Sequence, residues 1–343
     1  MPVIGLTIGK KSFRAVELDF KKDIVIVNNF GSFANPKITT EPTSPDDLKL
    51  ISAAISQFFS EVGFSTSDVV MSLDETYVFM RIIKLPIMSD KELKSSIKYE
   101  AEQYIPLPID QVTISYQKLD QDFNEKGKMS VQIVAAKKDI VDKYVEILRG
   151  AKLVPRAIEP ETIALGRVLG DTREAPSGTM ILDMGFSTTL IVVCYGGFVR
   201  FTRTIPIGGD VITKTIMQTL SLDQEQAEEY KKTYGLDELQ GEGKVAEVVR
   251  PIIDNLIMEV QRAAVFFTNH NPSANIRRVV LSGGTALMPN LLSYVADKLD
   301  LEVMLANPLN NIDISPKIAK QQQQLIDDAP LYSSAIGLAM RKF

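Results

Sequence analysis

The residues best suited to chemistry fall in two short stretches that share one pattern. They are LTIGKKSFRAVEL, starting at Leu6, and LDMGFSTTLIVVC, starting at Leu182. Each is an apolar run, a glycine, a polar turn and a second apolar run. Aligned on the glycine, Gly9 matches Gly185, Ser12 matches Thr188 and Thr7 matches Asp183. Glycine lets a backbone approach an anion closely, and successive N–H groups in a turn form a concavity that binds phosphate. The hydroxyls of Ser12, Ser187 and Thr188 and the ammonium groups of Lys10 and Lys11 can add donors and positive charge. Asp183 can hold a hydrated Mg²⁺ through water, as carboxylates do beside substrate phosphates. The first copy has Thr7 at that point and lacks the acid.

Three further stretches suit the same ligand. LSGGTALMPN carries Gly283 and Gly284 between a strand and a helix, where backbone can pass close to a nucleotide. QAEEYKK sets Glu228 and Lys231 three residues apart on one helix face, where they can bracket a ribose. IEPETIALG sets Glu159 before Pro160 at a strand-to-helix junction, from which a carboxylate can order a catalytic water. Each also has a plainer reading: an ordinary turn, a solvated charged face, an N-cap. The order of the motifs along the chain says more than any one of them.

The elements that must position these residues are legible. Strands are expected over 3–8 and 13–19, then 23–30, with loop over 31–43. Ser44-Pro45 opens a helix that Gly63 stops, with Leu48, Ile51, Ile55, Phe58 and Phe59 along one stripe. DVVMSLDETYVFMRIIKLP reads as two strands about a turn, and Ser89 with Glu92 forms a capping box for the next helix. Strands over 112–119 and 129–136 and a helix over 138–149 complete a strand-helix-strand-strand-helix unit. The opening hairpin then returns at 179–184 and 188–194. It is followed by a strand, helices over 209–221, 223–234 and 244–269, the strand RRVVLSGG, a helix near Pro289, the strand LEVMLAN and a last helix near 330–341. The polar AKQQQQLIDD reads as loop or helix end.

Composition narrows the partners. The chain has 343 residues, 38 basic against 43 acidic, and a net charge of −5 without a basic stripe, which argues against nucleic acid. One cysteine, Cys194, and one histidine, His270, exclude a disulfide framework and a Cys/His zinc site. The first residues lack the order of a signal peptide, and no apolar run nears the ~20 residues of a membrane span. A cytoplasmic protein is expected, reaching a membrane only through a partner.

The order hairpin, Glu-Pro helix start, D-x-G hairpin, E-x-x-K helix and Gly-Gly turn resembles the actin/Hsp70-like ATPase superfamily. RIIKLPIMSDKELKSSIKYEAEQYIPLPIDQVTISYQ, VQIVAAKKDIVDKYVEILRGAKLVPRAIE and GGFVRFTRTIPIGGDVIT look closely like the PilM family of type IV pilus assembly, from Ile4 to Arg341. The cell-division protein FtsA is similar at greater distance. The resemblance implies an α/β, actin-like two-lobed fold of duplicated ribonuclease-H-like lobes with an inserted strand-helix-strand-strand subdomain. The first lobe would comprise 1–76, 154–176 and 312–343, the insertion 77–153, the second lobe core 177–212 and 270–311, and its outer helices 213–269. It also implies a cytoplasmic scaffold that binds the N-terminal tail of a PilN-like inner-membrane protein along segment 81–110, with ATP or ADP between the lobes. Pilus motor ATPases and self-association are further implied partners. The family's first turn reads D-I-G-S-S-S-x-K, and here it reads T-I-G-K-K-S-F-R, so nucleotide binding with poor hydrolysis is expected. An active ATPase or a filament-forming protein is the alternative.

Overall fold

The computed structural model describes residues 1–22, 24–36, 38–119, 126–170, 178–271 and 274–343. The first hairpin is β1 (Val3–Ile8) and β2 (Ser12–Lys21), followed by β3 (Ile24–Ala34), α1 (Pro45–Val62) and β4 (Asp68–Leu73). Strand β3 runs four residues further than the sequence suggests, because its pairing with β2 continues to Ser12↔Ala34. Phe33 there packs on Phe13 and Phe58, with ring centroids 6.2 and 5.7 Å apart, so apolar contact overrides the turn-like composition. Ser44 and Asp47 close a capping box on α1, Ile51, Ala54, Ile55 and Phe58 face the core, and Gly63 ends the helix at φ 72°.

The inserted unit is β5 (Val78–Pro86), α2 (Asp90–Glu102), β6 (Val112–Leu119), β7 (Lys128–Lys137) and α3 (Lys138–Gly150). The expected loop before β7 lies largely outside the described residues. β8 (Val154–Pro160) and α4 (Glu161–Leu169) return to the first sheet. The second hairpin is β9 (Thr179–Met184) and β10 (Thr189–Tyr195). After it come β11 (Phe198–Ile205), α5 (Gly209–Leu220), α6 (Gln224–Thr233), α7 (Lys244–His270), β12 (Arg278–Ser282), α8 (Leu291–Lys298) and β13 (Glu302–Leu305). The tail adds β14 (Ile312–Ile314), α9 (Gln322–Asp327) and α10 (Ser333–Ala339). Polar composition hid α9, which is held by the fully buried Leu325.

Three sheets result, ordered β14-β3-β2-β1-β4-β8, β11-β10-β9-β12-β13 and β5-β7-β6. In the first, β1 is antiparallel to β2 and parallel to β4, and β4 is parallel to β8. In the second, β9 is antiparallel to β10 and parallel to β12, and β12 is parallel to β13. The two sheets are thus the same device built twice, with β14 added to the first. The hairpin registers match as well: Thr7 faces Arg14, and Asp183 faces Leu190 at the equivalent place.

Cys194 is buried on β10, and His270 is the last residue of α7. Helix α10 is buried along its whole length and packs on β1, β2 and α4. Among the described residues, no helix is long and apolar enough to cross a membrane.

Candidate functional site

The two hairpin turns face a common cleft of about 670 Å³. They are built alike: Gly9 N–H donates to the Ser12 carbonyl at 3.1 Å, and Gly185 N–H donates to the Thr188 carbonyl at 2.9 Å. A Cβ on Gly9 would lie 2.8 Å from the Ser12 carbonyl oxygen, so the turn closes only on glycine. Behind the second turn, the N–H of Gly209 and the hydroxyl of Thr285 both donate to the Gly185 carbonyl, at 3.0 and 3.3 Å. The loop after β12 reaches the cleft at Gly283, whose φ of 82° and whose approach to β9 exclude a side chain. A Cβ there would meet the Met184 backbone at 2.6 Å. At Gly284 the nearest atom to an added Cβ is the Leu331 side chain at 3.0 Å, so that position has room to yield.

The sequence-chosen residues Gly9, Lys10, Lys11, Ser12, Asp183, Gly185, Ser187, Thr188, Lys231, Gly283 and Gly284 all line this cleft. Glu228 stands beside them. Its carboxylate accepts from Lys231 at 2.7 Å and from the Thr213 hydroxyl at 2.8 Å, and it pairs with Lys11 from the other lobe. Burial alone would raise the Glu228 carboxyl, but the hydrogen bonds from Lys11, Lys231 and Thr213 bring it down to about 2. Lys231 is buried and also donates to the Gly209 carbonyl at 3.1 Å.

Glu159 is placed elsewhere. It is 4 % exposed and holds two arginines: Arg167 binds its two oxygens at 2.6 and 3.0 Å, and Arg341 pairs with it from the tail. With its oxygens taken, it does not reach the cleft to order water. The carboxylate that lines the cleft from this stretch is Glu161, two residues on. Both flank Pro160, and no periodicity distinguishes them, since the strand gives way to helix between them. Arg14, Asp74 and Glu75 also line the cleft and were missed. A cation between the apolar Phe13 and Ala15 of β2, paired with Thr7, was the available signal for Arg14.

Burial pushes Glu161 up to about 8, and the charge of Asp183 adds to it. Burial likewise raises Glu75 to about 7, against hydrogen bonds from Thr162. Asp183 is raised by burial, with Ser282 and the charge of Arg14 opposing. These carboxyls start from an ordinary value of 4.5 for glutamate, so each binds its proton more tightly in the folded chain. Their contribution to stability is therefore full below about pH 4.5 and is lost as pH rises through about 7 and 8. The melting temperature should fall between pH 6 and pH 9 by about 1–2 °C for each kcal/mol lost. Glu161→Gln should flatten that slope, and an equal slope in wild type and variant would refute the assignment.

Two copies of one α/β lobe closing on a cleft with paired glycine turns define the actin-like ATPase fold. The structure of MreB5 of Spiroplasma citri bound to ADP shares it, at 12 % identity and a TM-score of 0.55, covering 98 % of this chain and 94 % of that one. Within that fold, the chain belongs to the family of type IV pilus assembly protein PilM, whose model matches residues 5–343. A solved PilM–PilN type IV pilus biogenesis complex is similar over 99 % of this chain and 98 % of that chain, with 26 % identity and a TM-score of 0.83. The cell division protein FtsA of Neisseria meningitidis serogroup B is 24 % identical over 233 residues, 61 % of this chain and 53 % of its own length. The chain spans about half the length of the curated relatives it matches.

Proposed function

We propose that this chain is a cytoplasmic scaffold of the type IV pilus inner-membrane platform. It grips the N-terminal tail of a PilN-like membrane protein along segment 81–110, which holds it at the membrane's inner face. Its cleft binds ATP or ADP and hydrolyses ATP poorly. The observation that carries the reading is the likeness, end to end, to a PilM–PilN complex. The inserted unit supports it. Among the described residues, β5 has no strand on its outer edge, and an edge strand offers its backbone to an extended peptide. Ile87, just after β5, and Tyr99, on the outer face of α2, are each 71 % exposed, and Arg81 of β5 lies over the Tyr104 ring at 4.8 Å. These side chains suit an apolar, extended tail.

The cleft supports the nucleotide. Its volume suits a drug-sized or nucleotide-sized ligand, and its glycine turns leave the backbone open to phosphate. Thr7 supports slow turnover, because a missing acid at the phosphates removes stabilisation of the transition state more than of the bound ligand.

The test is calorimetric titration with a synthetic tail peptide of the PilN-like protein from the same organism. Binding is expected, and Tyr99→Ala with Ile87→Asp should weaken it about tenfold or more, as loss of an interface anchor does. Both side chains are exposed, so the variant should keep its melting temperature. Absence of binding by the wild type would refute the scaffold reading, and rapid wild-type ATP turnover would refute slow hydrolysis.

A further inference from the structure

The phosphate end of the cleft is built unlike a magnesium site. Thr7 has no carboxylate, and its hydroxyl donates to the Arg14 backbone carbonyl at 3.4 Å. The acid of the second turn, Asp183, has the Arg14 guanidinium acting on its charge from the opposite lobe. A divalent ion at Asp183 would have to sit beside a fixed cation. Among the described residues, no three of the Asp, Glu, His and Cys side chains gather to hold an ion.

The first turn presents two ammonium groups instead. Lys10 is 52 % exposed and reaches Glu41 at 3.6 Å. Lys11 crosses the cleft to Glu228, with its side chain 46 % exposed and its ammonium 5.8 Å from the Phe186 ring centre. Glu228 keeps Lys231 and Thr213 as donors whether or not Lys11 stays. Releasing Lys11 therefore leaves no buried charge unpaired, which is the condition under which breaking an ion pair costs little.

We propose that the cleft takes a nucleoside di- or triphosphate free of divalent metal, with Lys11 leaving Glu228 to supply the countercharge at the phosphates. This rests on the nucleotide reading above. A charge-assisted bond from ammonium to phosphate replaces one from ammonium to carboxylate, so the exchange is near balance until ligand arrives.

The test is titration of the full chain with ADP, once in excess EDTA and once in excess MgCl₂. Binding should be seen in EDTA and should weaken several-fold in excess MgCl₂, which withdraws the free nucleotide as its magnesium complex. Equal or tighter binding with MgCl₂ would overturn the inference. Lys11→Ser should weaken binding in EDTA by about tenfold, the size expected for one charged hydrogen bond, and Lys11→Arg should retain it. Thr7→Asp combined with Lys11→Ser should make binding depend on MgCl₂. Melting temperatures of all variants report folding separately. Binding seen only with MgCl₂ would overturn the inference and leave the nucleotide reading standing. Binding in EDTA that is unaffected by Lys11→Ser would overturn the role of Lys11. No binding in either buffer would overturn both readings.

Discussion

Removal of residues 326–343 is expected to leave a chain that does not fold. Every residue of α10 is buried, and Ile336 and Leu338 are fully so, with Tyr332 just before them at 3 % exposure. Burying one such side chain contributes about 1.5–3 kcal/mol, so three together approach the ~5–15 kcal/mol by which a typical domain is stable. The helix also lies against backbone. A Cβ on Gly5 of β1 would fall 1.9 Å from the Ala335 carbonyl oxygen, and one on Gly337 would fall 2.1 Å from the Ala164 carbonyl oxygen. Two glycines, Gly5 on β1 and Gly337 on α10 itself, let the tail pass between β1 and α4. Gly337→Val should then cost about 3 kcal/mol or more, the upper range for overpacking, because backbone atoms cannot rotate aside. Thermal unfolding followed by circular dichroism measures both. A truncated chain with an unchanged melting temperature would show that lobe one stands without its tail.

That tail marks where sequence stops informing. The final helix was visible from its apolar content, but the glycines that admit it are 332 positions apart and mean nothing until the sheet is built. The hairpins were legible because each is local: strand, glycine, turn, strand, closed by one hydrogen bond within four residues. The N-cap at Ser44 and the capping box at Ser89 were legible for the same reason. The extra length of β3 and the whole of β14 were not, since both depend on neighbouring strands. Glu228 and Lys231 were rightly placed on one helix face, but the pairing with Lys11 joins residues from two lobes.

Glu159→Gln should destabilise the chain and leave the cleft's ligand affinity unchanged. The neutral amide would leave Arg167 and Arg341 facing each other without their carboxylate, in a place where Glu159 itself is 4 % exposed. Removing one partner of a buried ion pair costs about 3–5 kcal/mol, and the two arginines keep some solvent, so about 2–3 kcal/mol is expected. Arg167 also donates to the Gly337 carbonyl at 2.6 Å, which ties the same cluster to α10. The loss should therefore be smaller in a chain already carrying Arg341→Ala, because that cation is gone, and a double-mutant cycle reads the difference. Glu161→Gln provides the contrast, since that side chain lines the cleft and should alter the pH response with a smaller effect on stability. If Glu159→Gln instead keeps the wild-type melting temperature and abolishes ATP turnover, Glu159 orders water after all, and the arginine pairs must open when nucleotide binds.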